Sequence, residues 1–259
     1  MNSDPHQKVS IFPDIDALSR AAAERFVSLS KAAIRARGRF ATALSGGSTP
    51  RRLYSFLGSS PYGENISWKK VHIFWVDERC VAPSHRDSNY KLVADELLLK
   101  AAIPEENIHR ILGEEEPGPA AAGYEEELHS FFAPSRNPVF DLVILGAGVD
   151  GHTASLFPGS SLLQERTRAV VPVYREKPEI NRVSLTLPVL NRAANILFLV
   201  SGIDKADIVY EVLANGNRKQ YPAGRVQPTD GVLSWFIDKA AASKIPPWPE
   251  KSTYTEEAD

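Results

Sequence analysis

The stretch Gly146-Ala147-Gly148-Val149-Asp150-Gly151-His152-Thr153-Ala154-Ser155 crowds an imidazole, a carboxylate and two hydroxyls onto a glycine-rich turn, directly after the apolar run Val143-Ile144-Leu145. A loop that merely joins two elements has no use for so many polar groups, and an imidazole titrates where a general base must work near neutral pH. An isolated histidine is more often structural or solvated; the company of Asp150, Thr153 and Ser155 marks His152 as a candidate base. Trp75-Val76-Asp77-Glu78-Arg79 ends another apolar run with three charges in succession, which a solvated loop explains as well as a site does. If both runs are strands of one sheet, Asp77 and Arg79 arrive near His152 at the carboxyl edge, where open α/β sheets hold ligands. Ser45-Gly46-Gly47-Ser48-Thr49-Pro50 follows a third apolar run and opens a helical pattern, so its amides and hydroxyls can converge on an anion at the positive helix end. A tight turn with a Ser or Thr cap accounts for the same residues. Arg182 and Lys205 are either surface charges or cations for such an anion. Lys205 lies in the first turn of an expected helix, where a cation opposes the helix dipole unless something anionic compensates it.

Two motif matches do not survive their context. Gly146 to Gly151 satisfies G-x-G-x-x-G after a strand, but Pro158 arrives before a sustained helix could form and no acidic strand end follows at the right distance. The glycines are better read as letting backbone approach a small ligand. The Ser45–Pro50 loop lacks the Gly-Lys-Ser/Thr ending of a nucleotide triphosphate loop, which favours a monophosphate. The single cysteine, Cys80, excludes an internal disulfide or a multi-cysteine zinc site, and its neighbours suggest no nucleophile. Six histidines without HExxH-like spacing suggest no metal.

The elements that must position these residues alternate. Leu18, Ala22, Phe26, Leu29 and Ala33 fall on one face of a first helix, with Asp14 or Asp16 to cap its start and Gly38 to end it. Strands are expected over 40–44, 71–76, 108–112, 139–145, 169–173, 183–187, 196–200 and 232–237. Further helices are expected from Pro50 to near Gly58, over 88–102 and 120–132, and from Asp204, where Ile208, Val209, Val212 and Leu213 make an apolar stripe. Near-continuous apolar strands between helices imply an α/β fold: a mainly parallel, doubly wound, Rossmann-like sheet with helices on both faces. Residues 166–174 read as a small antiparallel excursion. With no repeat or linker, residues 1–245 read as one domain, and 246–259, with three prolines and then acidic residues, as an irregular tail.

With 43% hydrophobic and 24% charged residues the chain has an ordinary globular composition, and a net charge of −2 offers no basic field for nucleic acid. The first thirty residues contain four acidic side chains and no apolar run for a signal or membrane span, so a cytoplasmic location is expected.

Taken together, Leu44 to Pro50, Trp75 to Arg79, Asp87-Ser88-Asn89-Tyr90, Leu145 to Gly148 with Asp150 to Pro158, Arg182 with Leu185-Thr186-Leu187-Pro188, and Ser201-Gly202 with Asp204-Lys205-Ala206 closely resemble the 6-phosphogluconolactonase family. This family lies within the broader glucosamine-6-phosphate isomerase/6-phosphogluconolactonase superfamily. Tyr221-Pro222-Ala223 and Trp235-Phe236 continue the likeness, which spans nearly the whole chain. Deaminases of the superfamily typically continue the Gly-His core with Ile-Ala-Phe-Asn-Glu; Thr153-Ala154-Ser155-Leu156-Phe157 stands there instead, without the deaminase glutamate.

The resemblance implies cofactor-free hydrolysis of 6-phosphogluconolactone in the oxidative pentose phosphate pathway, by direct attack of water. It implies His152 as base and later acid, Arg79 on the oxyanion, and Asp77 orienting Arg79 or the substrate hydroxyls. Gly46, Gly47, Ser48 and Thr49, with Arg182 and Lys205, would cradle the phosphate. The expected partner is a small phosphosugar lactone, with no nucleic acid or membrane, and the protein a monomer or weak homodimer. The alternatives are an isomerase or deaminase that shuttles a proton on Asp77, and a non-catalytic sugar-phosphate sensor, for which no DNA-binding module is visible.

Overall fold

A computed structural model describes residues 7–135, 137–176, 179–246 and 255–256. Strand β1 (Gln7–Phe12) leads into helix α1 (Ile15–Arg37), where Asp14 Oδ1 accepts from the Ala17 N–H at 2.8 Å and Gly38 ends the helix in the left-handed region. Strand β2 (Phe40–Leu44) follows, then α2 (Ser48–Leu57), β3 (Val71–Trp75), β4 (Asp77–Arg79) and α3 (Asn89–Val93), the last extended by a π turn over Ala94–Leu98. Next come β5 (Ile108–His109), α4 (Pro117–Phe131), β6 (Leu142–Leu145), β7 (Val170–Val173), β8 (Arg182–Leu185) and the short α5 (Leu187–Leu190). Strand β9 (Asn195–Val200), α6 (Ala206–Leu213), α7 (Pro222–Arg225), β10 (Val232–Asp238) and β11 (Thr255–Glu256) complete the order.

Eight strands form one parallel sheet in the order β11-β1-β10-β9-β6-β2-β3-β5. Every residue of β2 and β6 is buried, as strands covered on both faces require. Phe26, Phe40, Phe74, Trp75, Phe198 and Trp235 are fully buried at the centre, each worth roughly 1.5–3 kcal/mol relative to exposure. Because the strands are parallel, the loops after β2, β3, β6 and β9 all emerge on one edge.

The expected α/β class stands, and the antiparallel excursion is larger than 166–174. Strands β4, β8 and β7 form a separate antiparallel sheet, so Asp77–Arg79 does follow the carboxyl end of β3 but as a strand of its own, and 183–185 is no part of the main sheet. Val76 is the pivot: its N–H donates to Leu44 C=O of the large sheet at 2.9 Å, and its C=O accepts from Leu185 N–H of the small one at 2.8 Å. Several boundaries also move. The strand expected over 108–112 is only two residues long, that over 139–145 begins at Leu142, and the helix expected from Asp204 is a 3₁₀ turn (Ile203–Lys205) before α6. Strand β1, unforeseen, has an apolar pattern diluted by Lys8 and Ser10 because it lies toward one edge of the sheet. The tail expectation over 246–259 falls mostly outside the described residues, of which Thr255–Glu256 pairs with β1.

At the other edge, His72 Nδ1 lies 3.2 Å from His109 Nε2, and His109 Nδ1 lies 2.7 Å from Glu127 Oε1. Burial, with His109 and Arg39 nearby, pushes His72 down from 6.5 to about 4. The unfolded chain therefore binds a proton there that the folded one refuses, and this contribution to stability is complete above about pH 6.5 and lost as pH falls toward 4. Thermal melts across that range should show a steeper acid loss for the native chain than for His72→Gln.

Candidate active site

The crevice lies where the two sheets meet. The chain leaves β2 through Ser45, whose Oγ donates to Ile144 C=O at 2.7 Å and whose own C=O accepts from Tyr54 Oη at 2.6 Å. These bonds fix the Gly46-Gly47 turn against β6 and α2. Gly46 is required by close approach: a β-carbon there would lie 1.8 Å from Asn89 Oδ1.

In the small sheet, Arg79 pairs with Arg182 and Asp77 with Ser184. Residues opposite one another, and those two along, share a face of an antiparallel ladder, so both guanidiniums and the Asp77 carboxylate are presented together. Asp77, only 5% exposed, accepts from Ser155 Oγ at 2.5 Å and from Asn89 Nδ2 at 3.3 Å. Arg79 is held by Asp87, whose C=O accepts from Nη1 at 2.5 Å. Of the two roles expected for Asp77, orienting Arg79 or the substrate hydroxyls, these hydrogen bonds do not supply the first.

Glu78 points the other way. Its carboxylate, 2% exposed, accepts from the N–H groups of Arg79, Asn89 and Tyr90, each at 2.7 Å, and from Ser88 Oγ at 3.0 Å. Burial pushes its carboxyl up, opposed by these four donors. An anion on the first amides of α3 also suits the helix dipole.

After β6 the glycine-rich segment turns back without entering a helix. Gly148 N–H donates to His152 C=O at 2.9 Å, and Gly151 N–H to Gly148 C=O at 2.9 Å. His152 Nδ1 lies 2.6 Å from Asp150 Oδ1, which also accepts the His152 N–H at 3.1 Å. A β-carbon at Gly148 would lie 2.1 Å from His152 Nδ1, so this glycine makes room for the pair. Partial burial pushes the Asp150 carboxyl up, but the His152 N–H and the adjacent imidazole outweigh it and hold Asp150 below the usual carboxylate range. Ala154 has φ 51°, a left-handed conformation, which turns the chain so that Ser155 reaches Asp77.

The resulting crevice, about 130 Å³, is lined by Gly46, Gly47, Asp77, Arg79, His152 and Arg182, together with Ser45, Asn89, Gly146–Gly148 and Ala154. It shares Arg79 and Arg182 with a wider cleft of about 450 Å³. Six of the nine residues expected at the site meet here. Ser48 is exposed at the start of α2, Thr49 is buried in its first turn, and neither lines the crevice. Lys205 does not line it either; its Nζ lies 3.5 Å from Asp204 Oδ2, the compensating anion in that turn. Asp238 fixes the same turn by accepting from Ser201 Oγ and from Gly202 N–H at 3.1 Å.

The buried Nε atoms of Arg79 and Arg182 and Oδ1 of Asn89 have no partner among the described residues. Buried polar atoms are rarely left so, and two unsatisfied guanidinium donors on one crevice fit an anionic ligand. Burial lowers the Arg182 pKa from its ordinary value, with Asp77 opposing and Arg79 and Arg175 adding to the fall. Burial, with Glu78 beside it, pushes the Cys80 thiol up to about 11, so it is no thiolate nucleophile at neutral pH. Among the described residues, no three His, Cys, Asp or Glu side chains are grouped to hold a metal.

The profile of the family described as glucosamine-6-phosphate isomerases/6-phosphogluconolactonase matches residues 13–235. The chain belongs to this family. Among curated relatives, 6-phosphogluconolactonase of Haemophilus influenzae is 44% identical over 199 residues, covering 76% of this chain and 84% of that protein. The 6-phosphogluconolactonase of Nostoc is 38% identical over 241 residues, covering 92% and 98%. The solved structure of 6-phosphogluconolactonase from Trypanosoma brucei superposes with a TM-score of 0.82 at 27% identity, covering 95% of this chain and 100% of that one. A monomeric glucosamine-6-phosphate deaminase at 21% identity and a TM-score of 0.76 shares the fold.

Within this family member, Glu78 is a residue that the sequence reading assigns no role. Glu78→Ala would leave four buried donors without an acceptor, and should cost about 3 kcal/mol of stability in urea unfolding, with Glu78→Gln costing less.

Proposed function

We propose that this chain hydrolyses 6-phospho-D-glucono-1,5-lactone to 6-phospho-D-gluconate, the lactonase step of the oxidative pentose phosphate pathway, with His152 as general base. The observation that carries the assignment of the base is the 2.6 Å contact between His152 Nδ1 and Asp150. An ionised Asp150 accepts the Nδ1 proton, which leaves Nε2 with its lone pair for a water in the crevice. His152 takes a proton from that water as its oxygen bonds to C1. The carbonyl oxygen becomes an oxyanion beside Arg79. When the bond between C1 and the ring oxygen breaks, the imidazolium returns the proton to that oxygen, giving a hydroxyl and a carboxylic acid that then ionises. Every proton transfer at the reacting centre is carried by His152, so the reading asks for no cofactor.

The 6-phosphate falls to Arg182 and the Gly46-Gly47 turn. Ser48, Thr49 and Lys205 join the cradle only if the substrate reaches past the crevice lining. Asp77, already bonded to Ser155 and Asn89, is assigned to the sugar hydroxyls. This use of Asp77 as a fixed acceptor also disfavours a proton shuttle between C1 and C2. A small phosphosugar lactone as partner, with no nucleic acid, fits the net charge of −2, and no helix among the described residues is long and apolar enough to cross a membrane. We extend this reading to a cytoplasmic enzyme acting as a monomer or weak homodimer.

With freshly generated 6-phosphogluconolactone and a correction for spontaneous opening, His152→Ala should lose about 10²–10⁴-fold in kcat. Asp150→Asn should lower kcat with little change in KM, because it disturbs the tautomer and not substrate binding. A His152→Ala enzyme of near-native rate would sink the assignment of the base.

The phosphate cradle has its own check. Arg182→Ala should raise KM for the phosphorylated lactone by about ten-fold or more, and native enzyme should handle unphosphorylated gluconolactone poorly. Equal kcat/KM on the two lactones would overturn the cradle.

A further inference from the structure

Apart from the crevice, a cleft of about 520 Å³ opens between the 3₁₀ turn near Leu163, helix α5 and the segment from Lys219 to Thr229. Its walls carry Arg166, Arg192, Lys219 and Arg225 and no carboxylate. Among the described residues none of these four cations is in an ion pair, whereas Arg52, Arg110, Arg168 and Arg175 each face an acid. The chain has 32 acidic residues against 30 Lys and Arg, so this is no general excess of base. Four like charges around one concavity repel one another, and a bound anion removes that cost.

The cleft is also built. Backbone carbonyls aim two guanidiniums: Lys219 C=O accepts from Arg225 Nε at 2.7 Å, and Glu165 C=O accepts from Arg166 Nη1 at 2.8 Å. Asn191 fixes the facing loop, its Oδ1 accepting from Gln227 N–H and its C=O from Thr229 N–H, both at 2.8 Å. Leu163, Leu187 and Pro188 supply an apolar floor. The volume is that of a small-molecule site. No residue lines both this cleft and the crevice; α7 stands between them, with Ala223 N–H donating to Gly151 C=O at 3.0 Å and Arg225 facing the cleft.

We propose that this cleft is a second anion site that binds a compact organic diphosphate, its phosphates on the four cations and its organic part on the apolar floor. Arginine forks match phosphate oxygens in pairs, and a single phosphate would leave half of the cations unused.

Isothermal titration calorimetry with ADP as the probe tests it on the full chain. Saturable binding is expected, weakened about ten-fold or more in Arg192→Glu/Lys219→Glu, while circular-dichroism melting and lactone turnover stay native. Arg192→Ala is the milder companion, since that side chain makes no hydrogen bond among the described residues, and should weaken ADP several-fold. Absence of saturable ADP binding at millimolar concentration, or equal binding by the native and double-variant chains, would overturn the proposal.

Discussion

Two consecutive buried carboxylates, Asp77 and Glu78, face opposite sides of a three-residue strand and hold the crevice between them. Glu78 binds the start of α3 and so fixes Asn89 and Tyr90. Asp77 binds Ser155 and Asn89, and so joins the loop that carries His152 to the strand that carries Arg79. Neither charge could be taken from water without its donors, since an unpaired buried carboxylate is too costly to persist. The donors come from segments far apart in sequence, so satisfying these two groups assembles the site.

The geometry depends equally on a change of sheet at Val76. A strand continuing straight from β3 would alternate its charges between two faces of the large sheet and send them past the neighbouring loops. Because Val76 bonds to both sheets, β4 instead runs antiparallel to β8 and sets Arg79 against Arg182. Two arginines side by side repel, and their unpartnered Nε atoms add a desolvation cost. Both costs would fall with an anion bound in the crevice, which is how a binding site differs from a well-satisfied core.

Much of this was legible in the residues. Helix α1, with its apolar stripe and both caps, and strands β2, β6 and β9 follow from local pattern, because each is long or wholly apolar. The small sheet was not, since β4 and β8 are short, carry charge, and pair across a large sequence separation that periodicity does not encode. His152 was visible from the polar crowding around it. Its partner Asp150 stood in the same motif two residues earlier, and that spacing on a tight glycine turn was the available signal. Asn89 reads in sequence as the first residue after a Ser88 cap; only the fold shows its amide between Asp77 and Gly46. Lys205 was argued from the helix dipole, but a 3₁₀ turn and Asp204 alter the field there.

The left-handed Ala154 joins the loop of His152 to this framework. A non-glycine residue in that region carries a cost of order 1–3 kcal/mol, tolerated where surroundings over-determine it. Here they do: Thr153 Oγ1 donates to Gly146 C=O at 2.8 Å, and Ser155 N–H to Ser184 Oγ at 3.2 Å, so the chain is fixed on both sides of the reversal. The bond of Ser155 to Asp77 then sets the distance between the small sheet and the histidine loop. Were Ala154 in an ordinary extended conformation, Ser155 would turn away from Asp77, and His152 would depend on Asp150 and the glycine turn alone for its place relative to Arg79. The strain is thus part of how one imidazole and one guanidinium, from a loop of the large sheet and a strand of the small one, are held over the same small volume.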